Sequence, residues 1–158
     1  MRTGRLLSTD EDLPGRTRDF VAALAQEAGL PPERAYWLRL AVDEISTNIA
    51  CHGYRGRCGN IDLTGDFDQE RVWVTIHDQA AAFDAREHLP KTLPAAAARP
   101  QLGGNGLLLA LRGLDGFEHE YDGTGNTNTL IINRSPSRSR DPRASGGTDE
   151  PLTGRDRR

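Results

Sequence analysis

Glu44 and Asn48 stand four residues apart in Val42-Asp-Glu-Ile-Ser-Thr-Asn48, so a helix there sets both on one face about a turn apart. They flank the apolar stripe of that helix rather than oppose it, which points a carboxylate and a carboxamide toward whatever covers the helix. Such a pair can be a solvated flank, or it can hold a proton acceptor beside an oxygen ligand for a hard cation. His52 lies one further turn along. Asp78 directly follows the alternating run Val72–His77, where a carboxylate at a strand end can accept a hydrogen bond from a bound ring or simply serve a turn. Gly103-Gly104-Asn105-Gly106 opens an apolar helix. Glycines let a backbone approach an anion, and the first N–H groups of a helix favour phosphate. No G-x-x-x-x-G-K-[ST] run occurs, so this is not a P-loop. Taken in order, the acid–amide helix, the strand-end Asp and the glycine-rich helix start make a coherent site for a nucleotide with Mg2+.

These residues need a scaffold, and the hydrophobic periodicity supplies one. Arg5–Ser8 reads as a short strand. Phe20, Val21, Leu24, Ala25 and Ala28 recur at helical spacing and stop at Gly29. Leu38, Val42, Ile45 and Ile49 form the stripe of a second helix over 33–51, with Pro32 at its start. Ile61–Phe67 and Arg71–His77 alternate as a hairpin around Asp68-Gln-Glu70. Residues 79–102 lose periodicity and gather Pro90, Pro94, Pro100 and Ala95–Ala98, the composition of a long functional or disordered loop. Leu107–Leu111 begins a short helix, and Phe117–Tyr121 with Thr127–Asn133 closes the chain's patterned part. Helices first, then an antiparallel sheet with one late helix, predict an α+β two-layer sandwich with a mixed, mostly antiparallel sheet and helices on one face.

Composition divides the 158 residues in two. The whole chain has a formal net charge of −3, and its mean hydropathy is −0.61. Residues 135–158 hold six Arg against four acids and one large aliphatic, Leu152, which leaves −5 on residues 1–134. The expected organisation is a folded domain over 1–134 and a disordered basic tail over 135–158. No apolar run reaches the ~18 residues of a membrane span, and Met1–Pro14 has no signal-peptide core. Cys51 and Cys58 are too few for a disulfide framework and read as reduced thiols of a cytoplasmic protein. An acidic body argues against direct nucleic-acid binding.

Val42-Asp-Glu-Ile-Ser-Thr-Asn-Ile-Ala-Cys-His-Gly-Tyr54 resembles the asparagine box of the anti-sigma-factor serine kinases, a branch of the Bergerat-fold (GHKL) ATPases. Asp78-Gln-Ala-Ala-Ala-Phe-Asp84 is similar to that branch's first glycine box, and Gly103-Gly-Asn-Gly-Leu-Leu-Leu109 to its second. The resemblance covers about residues 5–134. It implies ATP and Mg2+ as cofactors, Asn48 as the metal ligand, and Glu44 as the catalytic base toward a substrate serine. It further implies that Asp78 takes the adenine amino group, that Gly104 and Gly106 let the backbone reach the phosphates under a lid over 85–102, and that Ala80, Ala82, Phe83, Gly103, Asn105 and Leu107 also belong to the nucleotide site. Arg86 and Arg99 are candidate phosphate clamps. The implied partners are a sigma factor, an anti-anti-sigma protein of the STAS type and a second copy in a homodimer, with Arg16, Arg18 and Asp19 as exposed candidates for recognition.

The first glycine box departs from its pattern at Ala80 and Ala82. A positive φ at position 80 would cost an alanine on the order of 1 kcal/mol or more. Two further readings therefore accompany the kinase: a non-catalytic partner-switch adaptor with a degenerate nucleotide site, and the catalytic module of a histidine kinase.

Overall fold

The computed structural model describes residues 1–88 and 105–135. Strand β1 (Arg2–Leu7) leads into helix α1 (Leu13–Ala28), which ends as its composition requires. Gly29 adopts φ +62°, and Leu30 N–H donates to Ala25 O at 2.9 Å, closing the helix with a left-handed cap. Helix α2 (Pro32–Asn48) starts on proline and buries Leu38, Ala41, Val42 and Ile45. Its periodicity is the 3.6-residue stripe read from the sequence.

The predicted end of α2 changes character in the structure. Ile49–Gly53 is a π-helical turn, in which Tyr54 N–H donates to Ile49 O at 2.8 Å across five residues. Such turns widen a helix locally and are found mostly at functional positions.

Strands β2 (Asn60–Phe67) and β3 (Arg71–Asp78) form the expected hairpin, where the Asp68 carboxylate accepts the N–H groups of Glu70 and Arg71 at 2.8 and 2.7 Å. Helix α3 (Asn105–Gly113) precedes β4 (Gly116–Tyr121) and β5 (Asn126–Asn133). The five strands lie in the order β1-β2-β3-β5-β4. The mixed, mostly antiparallel expectation narrows, because every pairing among the described residues is antiparallel.

The helices cover one face of the sheet. Along β2, β3 and β5 each second side chain is buried, and Ile61, Leu63, Val72, Val74, Ile76, Leu130 and Ile132 meet the α1 and α2 stripes. Gly65 belongs to that inner row for a packing reason: a Cβ there would stand 2.6 Å from Leu24 Cδ2. Among the described residues no helix is long and apolar enough to cross a membrane. Most of the expected lid (89–102) and all but the first residue of the expected tail (135–158) lie outside the described residues.

Candidate functional site

Helix α2 is the common support. Glu44 is half-buried on its flank, and Asn48 follows one turn later, also half-buried. Neither side chain has a hydrogen-bond partner among the described residues. Burial pushes the Glu44 carboxyl above its ordinary value, and the neighbouring Asp43 carboxylate adds to the shift. The first turn of α3 packs directly on Glu44: a Cβ on Gly106 would fall 2.5 Å from Glu44 Oε1. A side chain at 106 would therefore compete with the Glu44 carboxylate for the same space.

The π turn after α2 reaches the segment after β3 through three contacts. The Tyr54 hydroxyl accepts the Gln79 N–H at 2.9 Å and donates to Asn60 O at 2.7 Å. A Cβ on Gly53 would approach the Ala80 methyl to 3.0 Å, so the glycine of His-Gly-Tyr makes room for that alanine. The His52 and Phe83 rings stack at 6.3 Å with 25° between planes. Arg55 is the only non-glycine residue with positive φ among the described residues. The strain expected at Ala80 therefore does not arise.

Asp78 is buried, with 1% exposure. Its Oδ1 accepts the Ala80 N–H and the Asn126 Nδ2–H, both at 2.9 Å. Its Oδ2 is buried and has no hydrogen-bond partner among the described residues. An unsatisfied carboxylate oxygen inside a fold is costly unless a ligand supplies the donor. The exocyclic amino group of an adenine is a donor of the right kind, so the residues present fit an adenine nucleotide.

The remaining predicted residues divide clearly. Leu107 is buried in the core, which leaves only its backbone for a ligand, and Ala80 is likewise buried. Ala82 is exposed and Phe83 half-buried. Asn105 is the first residue of α3, while Gly103 and Gly104 lie outside the described residues. Arg86 is engaged rather than free. It grips Asp84 with Nε at 3.0 and 3.1 Å and Nη2 at 2.6 Å, and its guanidinium sits 5.4 Å over the Phe117 ring. Arg99 is outside the described residues. Among the described residues no group of three or more His, Cys, Asp or Glu is arranged to hold a metal. Mg2+ held by one protein oxygen, water and phosphates needs no such group, and the free Asn48 carboxamide suits that role.

A family model for the histidine kinase-like ATPase domain matches residues 7–132. The chain belongs to this family. The matched span runs from the end of β1 to the end of β5 and takes in every described part of the site. No curated protein matches the sequence. Membership carries nucleotide binding of the ATPase type, and the five-stranded sheet with α1, α2 and α3 among the described residues is the α/β sandwich expected of it.

Sequence reasoning missed Asn126 and His119, which contact the Asp78 segment, and missed Gly125. A Cβ on Gly125 would strike the Asp78 carbonyl oxygen at 2.1 Å. One signal was present. Asn126 and Asn128 fall in phase with Leu130 and Ile132, so two carboxamides occupy core-facing positions of a strand.

Proposed function

We propose that this domain binds ATP with Mg2+ and transfers the terminal phosphoryl group to a serine hydroxyl of a partner protein. The observation that carries the reading is the state of Glu44: half-buried, without a hydrogen-bond partner among the described residues, raised above its ordinary value, and seated against the first turn of α3. A carboxylate so placed can accept a hydroxyl proton and needs no displacement of an ion-pair partner first. Asn48, one turn away, offers the amide oxygen for the metal. Asp78 Oδ2 takes the amino group of the base. The start of α3 supplies free N–H groups and the positive end of a helix dipole to phosphate. Asn48 would be the protein ligand of Mg2+, and the metal would supply charge neutralisation to the phosphates.

The partners follow from the same reading: a STAS-type antagonist as the phosphorylated protein, a sigma factor as the sequestered one, and a homodimer as the working form. Support comes from the outer side of the helices. An open groove of about 530 Å3 runs between α1 and α2, lined in part by Arg18, Asp19, Tyr36 and Arg39. Tyr36 is 46% exposed beneath the Arg39 guanidinium, an apolar and cationic surface suited to a protein ligand.

The test pairs wild type with Glu44→Gln. Calorimetric titration with ATP and Mg2+ is expected to give equal binding in both, with phosphotransfer to a cognate antagonist at least about 100-fold slower in the variant. Equal transfer by the variant removes Glu44 from the role of base. Absence of any binding heat in wild type identifies the domain as an adaptor.

A further inference from the structure

The segment 78–84 carries alanine where the resembling kinases carry glycine, yet it keeps an ordered path without positive φ. What holds it is a side chain from another strand. Asn126 opens β5 opposite Asp78 and is 2% exposed. Its Nδ2 lies 2.9 Å from Asp78 Oδ1, 3.1 Å from Ala81 O and 3.4 Å from Ala80 O. Its Oδ1 lies 3.0 Å from the Phe83 nitrogen and 3.1 Å from His119 Nε2.

Chemistry fixes how these groups are oriented. A carboxylate and two carbonyls only accept, so the amide nitrogen must face them. The amide oxygen then accepts twice, from the Phe83 N–H and from a proton on His119 Nε2. On its other side His119 Nδ1 faces Asp84 Oδ2 at 3.7 Å, and Asp84 is itself gripped by Arg86. Asn126 thus ties the strand-end carboxylate to the loop that follows it, and His119 fixes the amide from β4.

We infer that Asn126 and His119 are positioning residues for base recognition. They clamp the alanine-bearing loop and spend Asp78 Oδ1, so that Oδ2 alone is presented to the base as an acceptor. The inference rests on the reading of Asp78 as the residue that meets the base. It explains how a first box without its glycines keeps a usable shape, because cross-strand hydrogen bonds do what glycine turns do elsewhere. Removing the clamp frees the carboxylate to rotate and the loop to leave its path. The loss then falls on discrimination between bases and not only on affinity.

The experiment compares ADP with IDP, each with Mg2+, by calorimetry on the full chain. IDP carries an oxygen in place of the amino group. Wild type is expected to favour ADP by about 10–100-fold, the range for a hydrogen bond to a charged group. Asn126→Ala is expected to collapse that preference to within about threefold, well under the discrimination one such bond provides. His119→Leu is expected to reduce the preference, and His119→Gln, which retains a donor, to restore most of it. A purely structural defect would weaken both nucleotides alike and leave their ratio unchanged. A wild-type preference that persists in Asn126→Ala and His119→Leu overturns the positioning role and leaves the nucleotide reading intact. Failure of wild type to bind either nucleotide, or to distinguish them, overturns the base-recognition reading and the inference with it. The histidine pair keeps the test decisive if Asn126→Ala does not fold.

Discussion

Glu44 and Gly106 share one space. The carboxylate oxygen Oε1 lies 2.5 Å from where a Cβ on Gly106 would be, closer than any real side chain allows. The glycine that opens α3 thereby positions the carboxylate of α2, in addition to any approach it permits to a phosphate. An atom added at position 106 must displace the carboxylate, the helix start or both.

Gly106→Ala is accordingly expected to lower phosphotransfer by about 10–100-fold, the scale of an ångström-sized misplacement of a reacting group. In a Glu44→Gln background the same change should have little further effect on turnover, since the displaced group is already inert. Steady-state kinetics on the two single variants and the double variant measure this coupling.

The pH dependence of stability follows from the direction of the Glu44 shift. Burial first and Asp43 second raise this carboxyl above its ordinary 4.5, so the folded state keeps the proton to higher pH than the unfolded chain does. Ionisation therefore costs stability. Its penalty is absent below 4.5, grows as pH rises through the folded value, and is complete above it. Glu44→Gln is expected to melt higher than wild type at neutral pH, because the glutamine carries no charge to desolvate. The difference should vanish at acid pH. Thermal unfolding followed by circular dichroism across a pH series measures it, and an unchanged gap at acid pH would exclude ionisation as the cause.

The elements were legible because their signals are local. The stripe Leu38, Val42, Ile45 and Ile49 is a helix by period alone, and the alternations of 61–67 and 71–77 are strands by period alone. Gly29, read as a helix stop, is one. The cross-element contacts were not legible. That Gly106 faces Glu44, that Gly53 admits the Ala80 methyl, and that Gly125 lies on the Asp78 carbonyl depend on how distant segments approach. A glycine's spelling is identical whether it serves a turn, an anion or a neighbour's side chain. The strain expected at Ala80 failed for the same reason: a motif column prefers glycine, but the backbone here adopts a path that alanine tolerates, and Asn126 holds it there.

Tyr54 illustrates a motif residue whose work is structural. Its hydroxyl joins the Gln79 N–H to Asn60 O, and its ring fills the space that a side chain on residue 59 would need. Tyr54→Phe leaves the Gln79 N–H without its partner beside Asp78, at a cost of about 0.5–1.5 kcal/mol, the net worth of a partly buried hydrogen bond. Urea denaturation should show that loss with an unchanged slope. Nucleotide affinity should fall with it, because the residue next to Asp78, the carboxylate proposed to meet the base, has lost its tether.

Gly113 ends α3 against Trp37 of α2, where a Cβ would lie 2.4 Å from both Cδ2 and Cε3 of the indole. Its φ is not positive, so alanine would be tolerated by the backbone, and in an open helix interior the change from glycine gains about 1 kcal/mol. The sign is decided by the indole instead. Gly113→Ala is expected to destabilise by about 1–3 kcal/mol, the cost of overpacking. Trp37 is itself held edge-on to Tyr36 at 5.2 Å, so it does not yield freely. Relief has two routes: the indole moves, or α3 tilts and carries Gly106 away from Glu44 at its other end. Pairing Gly113→Ala with Trp37→Leu separates them, since the smaller side chain should recover much of the stability. If phosphotransfer returns together with stability, the tilt of α3 is the link between this packing contact and the site. If stability returns and phosphotransfer was never lost, the two ends of α3 act independently.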